Sequence, residues 1–167
     1  MRRSIFATVL AATLLVTGCG IRPAEVSDAA QAPTGMADGP SLYFYDREGD
    51  LRPEVRDTGR LGTVSEALGL LLTGAGQTDA YSTALPDVAV TRVVVVPEDG
   101  AIRLVLPLAF DEVTPRGIDQ LVCTAIGVHV QSGGTPDTTV RLDFTQAPPG
   151  ADADRSCPVI DQRADPS

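Results

Sequence analysis

Two segments of this chain space their apolar residues as a helix does, and the remaining apolar runs read as strands. Val64, Ala67, Leu68, Leu71 and Leu72 recur at intervals of three and four and make one apolar face. Thr63-Val64-Ser65-Glu66 just ahead is a capping box, in which Thr63 and Glu66 satisfy orphan N–H groups reciprocally. Gly74 and Gly76 supply the stop. The second helix starts at Thr114-Pro115, with Thr as N-cap and Pro in the first turn. Its buried face is Ile118, Leu121, Val122 and Ala125, and Gly133-Gly134 breaks it.

Strand signals surround these helices. Leu42-Tyr43-Phe44-Tyr45 is rich in aromatics and ends in the charged turn Asp46-Arg47-Glu48-Gly49-Asp50. A second short extended piece can run from Leu51 to Arg56. Residues 77–87 read as a loop ending in Leu85-Pro86-Asp87. Val88 to Val96 is a β-branched run, closed by Pro97, and Glu98-Asp99-Gly100 turns it into a hairpin with Ile102, Leu104 and Leu106. Pro107 marks a strand leaving its sheet or lying at an edge. Thr139 to Phe144 is the last strand, with Val140, Leu142 and Phe144 on one face. The order β-α-β-β-α-β predicts an α/β fold, an α+β sandwich with two helices packed on one face of a small mixed sheet. No internal repeat is visible, so one domain is expected.

The N-terminus constrains where that domain sits. Arg2 and Arg3 precede a 12-residue apolar run, Ile5 to Val16. A membrane-spanning helix needs about 20 apolar residues, so this run fits a signal-peptide core instead. Leu15-Val16-Thr17-Gly18-Cys19 resembles the bacterial lipobox, in which cleavage before the cysteine follows attachment of a diacylglyceryl group to its thiol. The expected organisation is a lipoprotein signal peptide at 1–18, then lipidated Cys19 and an Ala/Pro/Gly/Asp-rich flexible tether to residue 40. The domain follows at 41–147 and a polar, Pro-rich tail at 148–167. One acyl chain binds a membrane marginally and two bind stably. The expected location is therefore the extracytoplasmic face of the cell membrane, with the membrane as a partner through the lipid on Cys19.

Charge excludes further classes. The chain carries 13 arginines, no lysine and 22 acids, for a net charge of −9. Loss of the two leader arginines makes the mature part −11. A nucleic-acid surface needs a basic footprint, so no nucleic-acid partner is expected. A hydrophobic content of 43% suffices for a core. The absence of lysine and asparagine points to a GC-rich genome.

Cys123 and Cys157 remain after Cys19 is assigned to the lipid. An exported pair can oxidise, and a disulfide between them is the expectation. The alternatives are two free thiols, or Cys123 as a packed small hydrophobe. On a helical wheel Cys123 falls off the apolar stripe, toward an outer or flanking side of the second helix.

No residue set announces catalysis. His129, the one histidine, follows the second helix as a loop or strand-edge side chain. No nucleophile elbow or other nucleophile motif accompanies it. Asp46, Glu48 and Asp50 imitate half a Ca²⁺ loop, but the glycine and bidentate glutamate that such a loop needs are replaced by Leu51 and Asp57. Glu98-Asp99 and Asp111-Glu112 are turn acids, and nothing places two carboxylates across a cleft. Gly74-Ala75-Gly76 ends a helix, whereas phosphate-cradling glycines start one. The chain is expected not to be an enzyme, and neither metal nor cofactor is expected.

The landmarks together resemble the GerMN domain of sporulation and spore germination. They are the aromatic strand Leu42–Tyr45, the helix from Ser65 to Leu72, the Leu85-Pro86 loop, the Asp99-Gly100 turn, and Gln120-Leu121-Val122-Cys123-Thr124 in the second helix. The resemblance covers about residues 41–146. It departs at Cys123, where the family often has an aromatic residue, and in the segment after the last strand. It implies a fold like the ring-building modules of secretion and sporulation assemblies. It also implies an exported actinobacterial lipoprotein, of a kind found in sporulation, wall assembly or beside sensor kinases. The expected function is a lipid-anchored binding or assembly module of the cell envelope, acting through contacts with an envelope protein. The alternative is a lipoprotein that binds a small molecule or wall polymer. The first reading expects an exposed sheet face or edge, the second a cleft.

Overall fold

The computed structural model describes residues 38–74, 76 and 78–160. In chain order they form strands β1 (Ser41–Tyr45) and β2 (Leu51–Val55), helix α1 (Val64–Leu72), and strands β3 (Val94–Glu98) and β4 (Ala101–Val105). A 3-10 turn at Phe110–Glu112, helix α2 (Pro115–Gln131) and strand β5 (Thr139–Asp143) complete the order. The class is α/β, as the alternation of patterns predicts.

The strands form two sheets where the sequence predicts one. β1 and β2 pair antiparallel, and β3-β4-β5 form a mixed sheet in which β4 runs parallel to β5. The reason lies along the free edge of β1. Alternate N–H groups of an antiparallel strand face opposite sides, and those of residues 41, 43 and 45 face away from β2. Ser41 donates to Gln131 Oε1 at 2.9 Å, Tyr43 to Thr124 Oγ1 at 3.0 Å, and Tyr45 to the Ser82 carbonyl at 3.0 Å. Two α2 side chains and one loop residue thus occupy the place where a further strand would pair. The same register explains Pro53 opposite Tyr43 in β2: the missing N–H would have pointed to the outer edge.

α1 follows its sequence signals. Thr63 Oγ1 accepts from the Glu66 N–H at 3.2 Å, and Glu66 Oε2 accepts from the Thr63 N–H at 2.8 Å. Arg60 closes on the same carboxylate. Ala67, Leu68, Leu71 and Leu72 are buried. α2 starts where Thr114 Oγ1 accepts from the Gly117 N–H and Pro115 opens the first turn.

The hairpin is shorter than its β-branched run. Residues 88–93 stay irregular, and β3 continues through Pro97 to Glu98, with Glu98 opposite Ala101 across the Asp99-Gly100 turn. Gly100 holds φ at +71°, a conformation an L side chain rarely adopts. Pro97 fits because β3 is an edge strand. In this two-residue hairpin residues 94, 96 and 98 bond to β4, and residue 97 faces outward.

The core is one cluster. β1 contributes Leu42, Tyr43, Phe44 and Tyr45, and the inner face of the second sheet contributes Ile102, Leu104, Val140 and Leu142. α2 packs against α1, β1 and β5, and α1 against β1 and β3. Residues 148–160, expected as a polar tail, are partly in this core: Ala151 and Cys157 are buried.

Two outcomes test this account. Thr124→Val keeps the shape of the side chain but strands the Tyr43 amide in the interior. Denaturant unfolding should show a loss of about 1–3 kcal/mol, and Thr124→Ser should recover most of it. The Arg60 guanidinium, followed by the Thr63 bonds, lowers the Glu66 carboxyl from 4.5 to about 2. A carboxylate depressed on folding stabilises above its unfolded pKa, and that contribution fades as pH falls from 4.5 toward 2. Unfolding curves measured across that window should flatten in Glu66→Gln.

Candidate interaction surface

α2 is buried around nearly its whole circumference, from Gly117 to Val128 with only Asp119 half-exposed. Helical spacing places Cys123 on an outer or flanking side, yet it is fully buried. The difference comes from the C-terminal segment, which covers that side. Cys123 joins Cys157 in a disulfide, with Cα atoms 4.8 Å apart. Two residues earlier, Arg155 exchanges both backbone hydrogen bonds with Val140 of β5, at 2.9 and 2.8 Å. The segment is thus held covalently to α2 and by backbone to the outer edge of β5.

Gln120 is also fully buried, although its residue type seldom is. Its Oε1 accepts from the Ala84 N–H at 2.9 Å and from Thr83 Oγ1 at 3.3 Å. It fixes the loop whose Ser82 bonds Tyr45. Gln120, Thr124 and Gln131 are the residues that sequence reasoning missed as structural polar groups. They stand four and seven residues apart on one side of α2, a spacing that by itself reads as a solvated face.

The three-stranded sheet keeps one face outside. Val95, Pro97, Ile102, Leu104, Val140 and Leu142 alternate toward the helices, while Val94, Val96, Glu98, Arg103, Arg141 and Asp143 alternate away. Val94 is 52% exposed. On this face Glu98 accepts from Arg103 Nε at 2.7 Å and from Arg141 Nη1 at 2.8 Å. Arg141 also reaches Asp154 at 2.8 Å, and Arg103 lies 3.8 Å from Asp143. Two arginines and three acids therefore form a ladder across the strands, flanked by valines.

The grooves are open to solvent. One of about 380 Å³ lies between the β3–β4 hairpin, Val64 and the last turn of α2, and His129 stands at its side. The sequence reading put His129 after the helix, but it is within α2, because the helix runs on to Gln131. Its Nε2 lies 3.1 Å from Thr138 Oγ1, and its ring fills the space where a Cβ on Gly134 would stand. Among the described residues, no carboxylate hydrogen-bonds the ring. A second groove, of about 450 Å³, runs between the start of α1 and residues 92–95.

The acidic turn is occupied by an arginine. Arg52 bonds Asp46 at 3.3 Å and Asp50 at 3.1 Å, and Asp46 Oδ1 accepts from the Asp50 N–H. Among the described residues, no group of three His, Cys, Asp or Glu side chains could hold a metal ion. Asp119 is pushed up by desolvation, which nearby Arg155 opposes. Tyr45 is pushed up in the same way, against the Arg116 guanidinium that stacks 3.8 Å over its ring.

Cys19, the expected lipidation site, lies outside the described residues. No helix among the described residues is long and apolar enough to cross a membrane. No protein-family model matches the chain, and no curated protein and no solved structure matches it.

The disulfide closes a loop with a sequence separation of 34, for which the chain-entropy model gives about 3–4 kcal/mol. Cys123→Ala/Cys157→Ala should lose that amount in denaturant unfolding. Thiol labelling of the unfolded, non-reduced protein should leave both positions unmodified.

Proposed function

We propose that this chain is a lipid-anchored, extracytoplasmic binding module of the cell envelope, of the GerMN type, that works through contacts with another envelope protein. The observation that carries the reading is the outer face of the three-stranded sheet. Valines and a ladder of paired charges lie there uncovered, in the pattern of a docking surface with polar readout. The leader Arg2–Val16 and the lipobox ending in Cys19 support the location. The order of Leu42–Tyr45, Leu85-Pro86, Asp99-Gly100 and Gln120–Thr124 supports a role in sporulation, wall assembly or sensor-kinase signalling.

The same reading is non-enzymatic and needs no cofactor. The acids nearest one another are engaged by Arg52, Arg103 and Arg141 instead of converging on a cleft. The groove beside His129 favours a second reading, a lipoprotein that binds a small molecule or wall polymer, because its lining is largely apolar around a single imidazole.

On the full chain, one measurement tests the anchor shared by both readings and a second separates them. Cys19→Ala should release the protein or leave it unprocessed, and unchanged retention together with unchanged processing would remove the lipid anchor. A photo-crosslinking side chain at Val105, on the outer face, should yield adducts with an envelope protein in intact cells. Absence of adducts together with a thermal shift on adding wall fragments would favour the second reading.

A further inference from the structure

We infer that a second copy of this chain pairs with it through the free edge of β3, antiparallel and two-fold, with Val95 facing Val95. The inference deepens the proposed function and rests on it in one respect, that a lipid anchor would concentrate copies in a plane. Edge strands are normally blunted, because unpaired N–H and C=O groups template further pairing. In this protein three of the sheet edges are closed or broken. Thr124, Gln131 and Ser82 fill the β1 edge. Arg155 bridges to the β5 edge. Pro53 interrupts the middle of the β2 edge. Ser65 of α1 bonds the Val93 carbonyl just ahead of β3, but among the described residues no segment bonds the edge of Val94–Glu98, and its proline is not at the centre.

The register follows from complementarity. The N–H and C=O of Val95 and the C=O of Pro97 face outward along this edge, so a two-fold through Val95 pairs its donor and acceptor with those of the second copy. The two Val95 residues exchange N–H···O bonds. Val93, 1% exposed, adds no bond to the second copy, and Pro97 has no N–H to offer. That missing donor leaves nothing unpaired, because the Val93 carbonyl already accepts from Ser65 Oγ. On the outer face Val94 meets Val96, so the 52% exposed Val94 gains an apolar cross-strand neighbour. Arg92, exposed and in none of the ion pairs among the described residues, comes opposite Glu98 of the second copy. A shift of two residues in the register removes both Arg92–Glu98 pairs.

The test uses the full chain in detergent, with mass followed by sedimentation across a concentration series. The wild type should show a reversible monomer–dimer equilibrium. Arg92→Glu places like charges opposite each other twice and should weaken it about tenfold. Val95→Pro removes two central donors that β4 does not use and should leave monomer. Val95→Cys should give a covalent dimer on mild oxidation, since facing residues have Cα atoms about 5.5 Å apart, within disulfide range. Arg92 is a surface residue, so its variant keeps the question open to refutation if Val95→Pro does not fold. A wild type that is monomeric throughout overturns the inference. So does a dimer indifferent to both Arg92→Glu and Val95→Pro, or a monomer whose Val95 amide resists hydrogen exchange, which would mean the edge is filled within one chain. None of these outcomes alters membrane retention or the Val105 adducts, so failure here is separate from failure of the proposed function.

Discussion

The Tyr43 amide donates its hydrogen to Thr124, and the layout of both sheets depends on that bond. A strand with Leu42, Tyr43, Phe44 and Tyr45 buried on both faces has the composition of a central strand. It would be expected to recruit neighbours on both edges. α2 prevents this by presenting Thr124 and Gln131 where a second strand would lie. A buried N–H left without a partner costs about 1–3 kcal/mol, so a helix that faces a strand edge must supply acceptors of its own. The helix thereby substitutes for a strand, and β1 and β2 remain apart from β3, β4 and β5.

The same helix sets where the chain can be touched. Its polar positions serve β1 and the 83–84 loop, and its Cys123 side is sealed by the segment that ends at Cys157. That segment also bonds to β5, so one covalent link covers a helix face and a sheet edge together. With α2 enclosed, the uncovered part of the second sheet is its outer face and the β3 edge. These are the surfaces that the proposed function and the proposed pairing draw on, and they share the strand that carries Val94, Val96 and Glu98.

Legibility in the sequence varied with how local each cause was. The α1 capping box, the Thr114-Pro115 start and the Asp99-Gly100 turn depend on neighbours within four residues, and they stand where the sequence puts them. The division into two sheets was hidden, because it rests on contacts 81 and 90 residues apart between β1 amides and α2 side chains. Pattern alone could not show that Thr124 and Gln120 face inward, since polar residues on a helix normally mark its solvated side. The beginning of β3 was misplaced for a related reason. Val88 to Val93 has strand composition, but β4 pairs only from Val94 onward. Of the candidate site, the cysteine pairing could be anticipated from the expected export, whereas the Glu98–Arg103–Arg141 ladder required knowing that β4 and β5 are parallel neighbours.

Net charge adds a last constraint on partners. Outside an anionic membrane, a domain this acidic gains nothing from lying against lipid headgroups, and the proposed tether would hold it at a distance. Its arginines do not offer a compensating patch. Arg52, Arg60, Arg103 and Arg141 are each paired with acids of the same chain. Arg92 stands outside these pairs, two residues ahead of β3. A cation beside an open backbone edge can choose a register as well as a partner, because like charges opposite one another disfavour every other alignment. On that argument the three consecutive valines of β3 supply apolar contact, and Arg92 just ahead of it and Glu98 at its end determine which strand they accept.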